Sequence, residues 1–107
     1  MGTKGKKILV ADDENDILEI ISYNLSTEGY DIFTATDGND ALEKAREIHP
    51  DLIILDIMMP YKTGLEVCRI LRANDAFKET RIIFLTALND DSSEIAGLES
   101  GGDDYVN

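Results

Sequence analysis

The apolar run at residues 52–55, near the middle of the chain, constrains the fold more than any other feature of the sequence. It follows the helix breaker Pro50 and ends at Asp56, while Pro60 and Gly64 interrupt the segment behind it. Four consecutive large apolar residues between chain breakers predict a strand that is buried on both faces, as in the centre of a parallel sheet. Ligands of open parallel sheets bind outside the carboxyl ends of the strands, and Asp56 would lie there.

Strand-like and helix-like segments alternate along the rest of the chain. Further strands are predicted at residues 8–11, 30–35, 81–86 and 103–107. Helices are predicted at residues 16–29, 40–48, 64–74 and 91–100, with capping patterns at 40–43, 63–66 and 91–94. Strict alternation of strand and helix predicts an α/β fold, with a parallel sheet that carries helices on both faces.

Length and charge narrow the class of protein. A chain of 107 residues has room for one domain. Its net charge of −12 argues against direct contact with nucleic acid or an anionic membrane, because phosphate binding needs a basic surface. No apolar run approaches the ~20 residues of a membrane span, and residues 1–7 lack the core of a signal peptide, so we expect a cytoplasmic protein. The single cysteine, Cys68, has apolar neighbours and is expected to be a small buried side chain.

Acidic and hydroxyl side chains follow several of the predicted strands. Asp12 and Asp13 follow the first strand, Asp56 follows the central strand, and Thr86 ends the fourth. All four should lie at the same edge of the sheet. If the first and central strands are neighbours, three carboxylates crowd together, so that either a pKa rises or a cation binds between them. Carboxylate oxygens with few protein ligands suit Mg²⁺.

A structural alternative is open for the acids at residues 12–16. They could simply form an acidic helix start, which the helix dipole favours. This alternative accounts for Glu14 and Asp16. It does not account for Asp56, because the segment behind that residue contains Met58, Met59 and Pro60 and does not open a helix directly.

Four segments together resemble the receiver domain of two-component response regulators. They are residues 8–14, residues 52–60 with Gly64, residues 84–87, and residues 97–105. The match covers nearly the whole chain in the family's order and spacing. It implies a doubly wound, parallel five-stranded sheet with the flavodoxin-like strand order 2-1-3-4-5.

The resemblance also implies a role for each matching residue. Asp56 would be the phosphoacceptor, and Asp13, Asp56 and the Met58 carbonyl would bind Mg²⁺, with Asp12 holding a coordinated water. Further roles fall on three more residues: Thr86 would hydrogen-bond a phosphoryl oxygen, Tyr105 would swing inward behind it, and the small Ala87 would keep the site open. Without the resemblance, Tyr105 would be interpreted as an edge-strand aromatic residue that covers the core.

The implied function is a phosphorylation-activated signalling switch. A sensor histidine kinase would donate the phosphoryl group, and an output domain or downstream protein would receive the signal in a two-component system or phosphorelay. Such a domain is a phosphoacceptor rather than a turnover enzyme, with at most slow self-dephosphorylation. His49 precedes Pro50 at a helix end, so we do not expect it to be a phosphodonor.

The family's pattern continues past the position of Asn107 with a Lys and a fifth helix. Residues 1–107 are therefore expected to form a receiver domain without the end of strand 5 and without helix 5. Without that helix, part of one sheet face would be exposed to solvent, so self-association into a homodimer is a further expectation.

Two other classes of protein share part of this pattern. A haloacid-dehalogenase-like aspartyl phosphotransferase also uses an aspartate and Mg²⁺, but its nucleophile belongs to an Asp-x-Asp pattern after the first strand, which residues 12–14 do not supply. A flavodoxin-like nucleotide binder needs a loop rich in Gly, Ser or Thr after that strand, whereas this chain has acids there.

Overall fold

The computed structural model describes residues 5–85, Gly102 and the backbone of residues 104–106. The strands are β1 (Lys7–Ala11), β2 (Asp31–Ala35), β3 (Leu52–Asp56), β4 (Arg81–Leu85) and β5 (Asp104–Val106). The described helices are α1 (Asn15–Ser26), α2 (Gly38–Ile48) and α3 (Gly64–Arg72), and a 3₁₀ turn covers Asp75–Phe77. The helix predicted at residues 91–100 lies outside the described residues. None of the described helices is long and apolar enough to cross a membrane.

The strands form one parallel sheet in the order β2-β1-β3-β4-β5, which confirms the predicted fold class. In this register Ala11, the last residue of β1, lies opposite Leu55 of β3. Asp56 lies opposite Leu85 of β4. The carboxyl ends of β1 and β3 are therefore direct neighbours in the middle of the sheet.

Side chains alternate between two cores, one on each face of the sheet. On one face Leu9, Ile53 and Phe84 pack with residues of α2 and α3, and Cys68 is fully buried among them, as expected. On the other face Ile8 and Val10 pack against Leu18 of α1. Helices on both faces confirm the doubly wound architecture and bury β1 from both sides. The central strand β3 is fully buried on the α2 and α3 face only, because Leu52 and Ile54 on the α1 face are partly buried.

The helix starts agree only in part with the sequence pattern. Thr63 and Glu66 form the predicted capping box of α3, in which each side chain accepts a hydrogen bond from the other residue's backbone amide. The capping box predicted at residues 40–43 is wrong. Asp37 caps α2 instead, because its carboxylate accepts a hydrogen bond from the Asp40 amide at 2.8 Å, and the helix already begins at Gly38.

Candidate functional site

Three carboxylates meet at the carboxyl ends of β1 and β3. Asp12 and Asp13 follow the last residue of β1, and Asp56 is the last residue of β3. One carboxylate oxygen from each residue lies within 4.8 Å of the corresponding oxygens of the other two. The pairing of β1 with β3 produces this arrangement, because it brings residues more than forty positions apart in sequence to the same point of the sheet edge.

Backbone hydrogen bonds fix the two carboxylates that are least exposed. Asp12 is only 4% exposed, and its Oδ1 atom accepts a hydrogen bond from the Glu14 amide at 2.9 Å. The Asp12 amide donates to the Ala35 carbonyl at 3.1 Å, which extends the contact between β1 and β2 by one residue. Asp56 is half-buried, and its Oδ1 atom accepts a hydrogen bond from the Met58 amide at 3.3 Å. Asp13 is exposed and faces solvent beside them.

Burial and mutual repulsion raise the pKa of two of these groups. Burial, followed by the charges of Asp12 and Asp13, raises the pKa of Asp56 to about 7, and the Met58 hydrogen bond acts in the opposite direction. Burial also raises the pKa of Asp12, against the hydrogen bond from Glu14. A carboxylate whose pKa lies near neutrality holds its charge at a cost, and a cation between the three groups would remove that cost.

The donor set fits a small hard cation. All three side chains offer oxygen ligands, which Mg²⁺ and Ca²⁺ prefer, and a site with few protein ligands and room for water suits Mg²⁺. Asp13 is exposed, so water can reach the cluster from its side. Met58, whose carbonyl was predicted as a further ligand, lies two residues past Asp56, and its side chain is exposed.

The loop behind Asp56, residues 57–63, is held against the sheet edge. The side chains of Ile57 and Met59 are buried, so they anchor the loop on either side of Met58. The Gly64 amide donates to the Ile57 carbonyl at 3.0 Å. A Cβ atom at Gly64 would lie 2.3 Å from the Asp56 carbonyl oxygen, so only glycine allows α3 to start this close to the Asp56 peptide.

The structure thus brings together Asp12, Asp13 and Asp56 among the predicted site residues. Thr86 and Ala87 lie outside the described residues, and for Tyr105 the structure gives only its backbone position in β5, opposite Phe84. The close approach of Gly64 to Asp56 was not predicted. Its only sequence signal is the glycine that follows the capping residue Thr63, and that signal by itself also fits an ordinary helix start.

A parallel sheet of this strand order, with an acidic site at the carboxyl ends of its central strands, defines a flavodoxin-like protein of the receiver type. The family model described as "Response regulator receiver domain" matches residues 8–107. The chain therefore belongs to the response regulator receiver domain family, and not to the haloacid dehalogenases.

Individual relatives agree with this assignment. The alkaline phosphatase synthesis transcriptional regulatory protein PhoP of Bacillus subtilis (strain 168) is 48% identical over 101 residues, which are 94% of this chain and 41% of the relative. This chain thus spans about two fifths of that relative's length.

Solved structures show the same fold. The crystal structure of a putative response regulator from Chloroflexus aurantiacus J-10-fl superposes with a TM-score of 0.92 at 33% identity, covering 96% of this chain and 84% of that one. A second match is the CheX-CheY-BeF3-Mg+2 complex from Borrelia burgdorferi, with a TM-score of 0.88 at 25% identity, covering 96% of this chain and 78% of that one.

Proposed function

We propose that this chain is a phosphorylation-activated switch in which Asp56 accepts a phosphoryl group from a sensor histidine kinase in a Mg²⁺-dependent reaction. One observation carries the proposal: oxygens of Asp12, Asp13 and Asp56 lie within 4.8 Å of one another at the ends of the central strands. Membership of the receiver family and the BeF3 and Mg named in the Borrelia burgdorferi complex give it further support.

The reaction is a transfer between two nucleophiles. A carboxylate oxygen of Asp56 attacks phosphorus, the bond from phosphorus to the donor histidine nitrogen breaks, and the imidazole keeps that electron pair and takes up a proton. Asp56 must be ionised to attack, and a pKa of about 7 leaves a large protonated fraction near neutral pH. When bound by Asp13, Asp56 and the Met58 carbonyl, with Asp12 holding a water, Mg²⁺ would supply the positive charge that attack on an anionic phosphoryl group requires.

The chain's own groups then orient the nucleophile. The hydrogen bond from the Met58 amide to Oδ1 restricts rotation of the Asp56 carboxylate. Asp12 is held by the Glu14 amide and places a buried carboxyl oxygen within 4.8 Å of one from Asp56. We further propose that Thr86 hydrogen-bonds a phosphoryl oxygen, that Ala87 leaves room for the group, and that Tyr105 moves inward on phosphorylation.

The proposed partners follow from the same role. The donor is a sensor histidine kinase, and the signal passes to an output domain or a downstream protein. Because the Bacillus subtilis relative is named a transcriptional regulatory protein and is more than twice as long as this chain, we propose an output that controls transcription. The net charge of −12 makes direct nucleic-acid contact by this domain unfavourable. The proposed location is the cytoplasm, and the domain itself acts as a phosphoacceptor rather than a turnover enzyme.

Phosphorylation by a small donor tests the nucleophile. Acetyl phosphate with Mg²⁺ should give a single labile phosphoryl adduct on the parent chain, detected by intact-mass spectrometry. The Asp56→Asn variant should give none, because its amide oxygen is a poor nucleophile, whereas Asp12→Asn should only reduce the yield. An adduct that persists in Asp56→Asn would assign the phosphoacceptor to another residue.

Thermal unfolding tests the cation site independently of phosphorylation. We expect millimolar Mg²⁺ to raise the Tm of the parent chain, because the cation relieves the repulsion between the three carboxylates. In Asp13→Asn the shift should be smaller or absent. NaCl at matched ionic strength is the control for general screening of the net charge. Equal Mg²⁺ shifts in parent and variant would remove Asp13 from the site.

A further inference from the structure

Gly38, the first residue of α2, lies directly against the loop of residues 57–63. The Gly38 amide donates to the Pro60 carbonyl at 3.3 Å, and the same carbonyl accepts a hydrogen bond from the Lys62 amide at 2.8 Å. A Cβ atom at Gly38 would lie 2.2 Å from the Lys62 carbonyl oxygen and 2.5 Å from the Lys62 Cβ atom. Gly38 does not have a positive φ angle, so its backbone conformation does not require glycine. The close approach to Lys62 is what requires glycine at this position.

The loop that Gly38 touches leads to the acidic site within a few residues. Pro60 is two positions past Met58, whose amide hydrogen-bonds to Asp56. At its other end the loop is fixed through the Gly64 amide and the Ile57 carbonyl. Between these points Tyr61 has a φ angle of 70°, an unfavourable value for a residue with a side chain, and the ring is 79% exposed. The loop is thus held by backbone contacts at Pro60, Lys62 and Gly64 and by the buried side chains of Ile57 and Met59, and not by packing of Tyr61.

The helix is held more firmly than the loop. Ala41, Leu42 and Ala45 of α2 are buried in the core, and Lys44 donates to the Thr34 carbonyl of β2. Lys62, by contrast, is only partly buried. A methyl group at position 38 would need the Lys62 carbonyl oxygen, 2.2 Å away, to move back by about 1 Å, and the loop is the side that gives way.

We infer that Gly38 is a positioning residue for the cation site, acting through the loop of residues 57–63 on Met58 and Asp56. The inference rests on the proposed function, because it assumes that these residues hold Mg²⁺. Only Met59 separates Pro60 from Met58, so a shift at Pro60 and Lys62 acts on Met58 through the buried side chain of Met59. Such a shift would change the positions of the Met58 carbonyl, a predicted ligand, and of the Met58 amide, which hydrogen-bonds to Asp56. Groups that support a ligand from outside the metal's coordination shell commonly change metal affinity by about 10- to 100-fold.

The test compares Gly38→Ala with Ala45→Gly. Both substitutions lie in α2 and leave the charge unchanged, but Ala45 lies about two helical turns past Gly38 and is buried in the core. Magnesium affinity is measured by titrating MgCl₂ into ¹⁵N-labelled protein and following amide shifts. We expect Gly38→Ala to bind Mg²⁺ about tenfold more weakly than the parent chain. Ala45→Gly should stay within about twofold of the parent, as expected for an independent site.

A second readout needs no metal. The Met58 amide resonance of the metal-free protein should shift in Gly38→Ala and stay in place in Ala45→Gly. Parent-like Mg²⁺ affinity in folded Gly38→Ala would overturn the inference and leave the proposed function standing. No Mg²⁺ binding by the parent chain would overturn the proposed function itself, and the inference with it.

If Gly38→Ala does not fold, the double variant Gly38→Ala/Lys62→Gly takes its place and is compared with Lys62→Gly. The double variant removes the contact with the Lys62 Cβ atom but keeps the closer one with the carbonyl oxygen. Its affinity for Mg²⁺ should be lower than that of Lys62→Gly, and equal affinities would overturn the inference.

Discussion

Asp56 ends a buried central strand, and its position changes the chemistry of an ordinary carboxyl group. An exposed aspartate ionises near pH 4 and would be fully charged in the cell. At the end of β3, burial and the neighbouring Asp12 and Asp13 raise the pKa of Asp56 to about 7. Burial and repulsion disfavour the ionised carboxylate, and either a proton or a metal cation can relieve them. At this one residue, proton binding and metal binding should therefore compete.

The raised pKa of Asp56 predicts a pH dependence of folding stability. In the unfolded chain the group titrates near 3.8, and in the folded chain near 7. Between these values the folded state binds more protons, so the contribution is fully present below about pH 4 and is lost as pH rises through 7. We expect metal-free parent chain to lose roughly 1–2 kcal/mol relative to Asp56→Asn between pH 5 and pH 8, a range reduced for partial exposure to solvent.

Urea unfolding of both proteins at the two pH values, in EDTA, measures this difference. Saturating Mg²⁺ at pH 8, without EDTA, should restore much of the lost free energy of unfolding in the parent chain. In Asp56→Asn the same addition should have little effect. Parallel pH profiles for parent and variant would mean that Asp56 titrates normally.

The acidic cluster could be predicted from sequence because it depends on few assumptions. Asp12, Asp13 and Asp56 each follow an apolar run, and parallel strands place their carboxyl ends together. The close approaches of Gly38 and Gly64 to the loop could not be predicted, because they depend on how α2 and α3 dock against residues 57–63. The roles of Thr86, Ala87 and Tyr105 stay predictions.

At the scale of single elements, apolar runs and alternation predicted every strand of the sheet. The strand order came from the resemblance to receiver domains, because alternation alone does not say which strands are neighbours. The start of α2 was misplaced, although Asp40 and Glu43 have the spacing of a capping box. Asp37 already supplies an oxygen to the Asp40 amide, and the contact of Gly38 with the loop fixes the first turn there. A local sequence pattern therefore predicts the start of a helix correctly only when no tertiary contact favours a different start.

The cap of α3 offers a prediction at this scale. Thr63 accepts a hydrogen bond from the Glu66 amide at 3.2 Å and joins the helix to the loop that follows β3. Thr63→Ala should lower the free energy of unfolding by about 1 kcal/mol, because the amide loses its partner. Thr63→Ser keeps a hydroxyl and should cost much less. Urea midpoints at an unchanged m-value measure both, and equal losses would show that the methyl group of Thr63 matters more than the cap.

At the scale of the whole molecule, net charge and exposed apolar surface have opposite effects on self-association. The net charge of −12 keeps copies of the chain apart. Helix α1 packs across β1 and β2, but on the same sheet face Leu52, Ile54 and Ile83 of β3 and β4 are only partly buried. A groove of about 380 Å³ opens there, with Ile8, Leu52 and Ile83 among its lining residues. This partly covered apolar surface favours contact with a second copy once repulsion is screened.

We therefore predict that the 107-residue chain is monomeric at low ionic strength and self-associates as NaCl is raised, because screening removes the repulsion and leaves the apolar attraction. Ile83→Lys places a charge on the partly covered face and should abolish the association. Ile20→Lys makes the same change on α1, where Ile20 is 59% exposed, and should leave it intact. Sedimentation velocity over a concentration series at two salt levels measures the oligomeric state of the parent chain and of both variants. A monomer under all conditions would show that the face is sufficiently covered, and equal loss in both variants would show that net charge alone controls association.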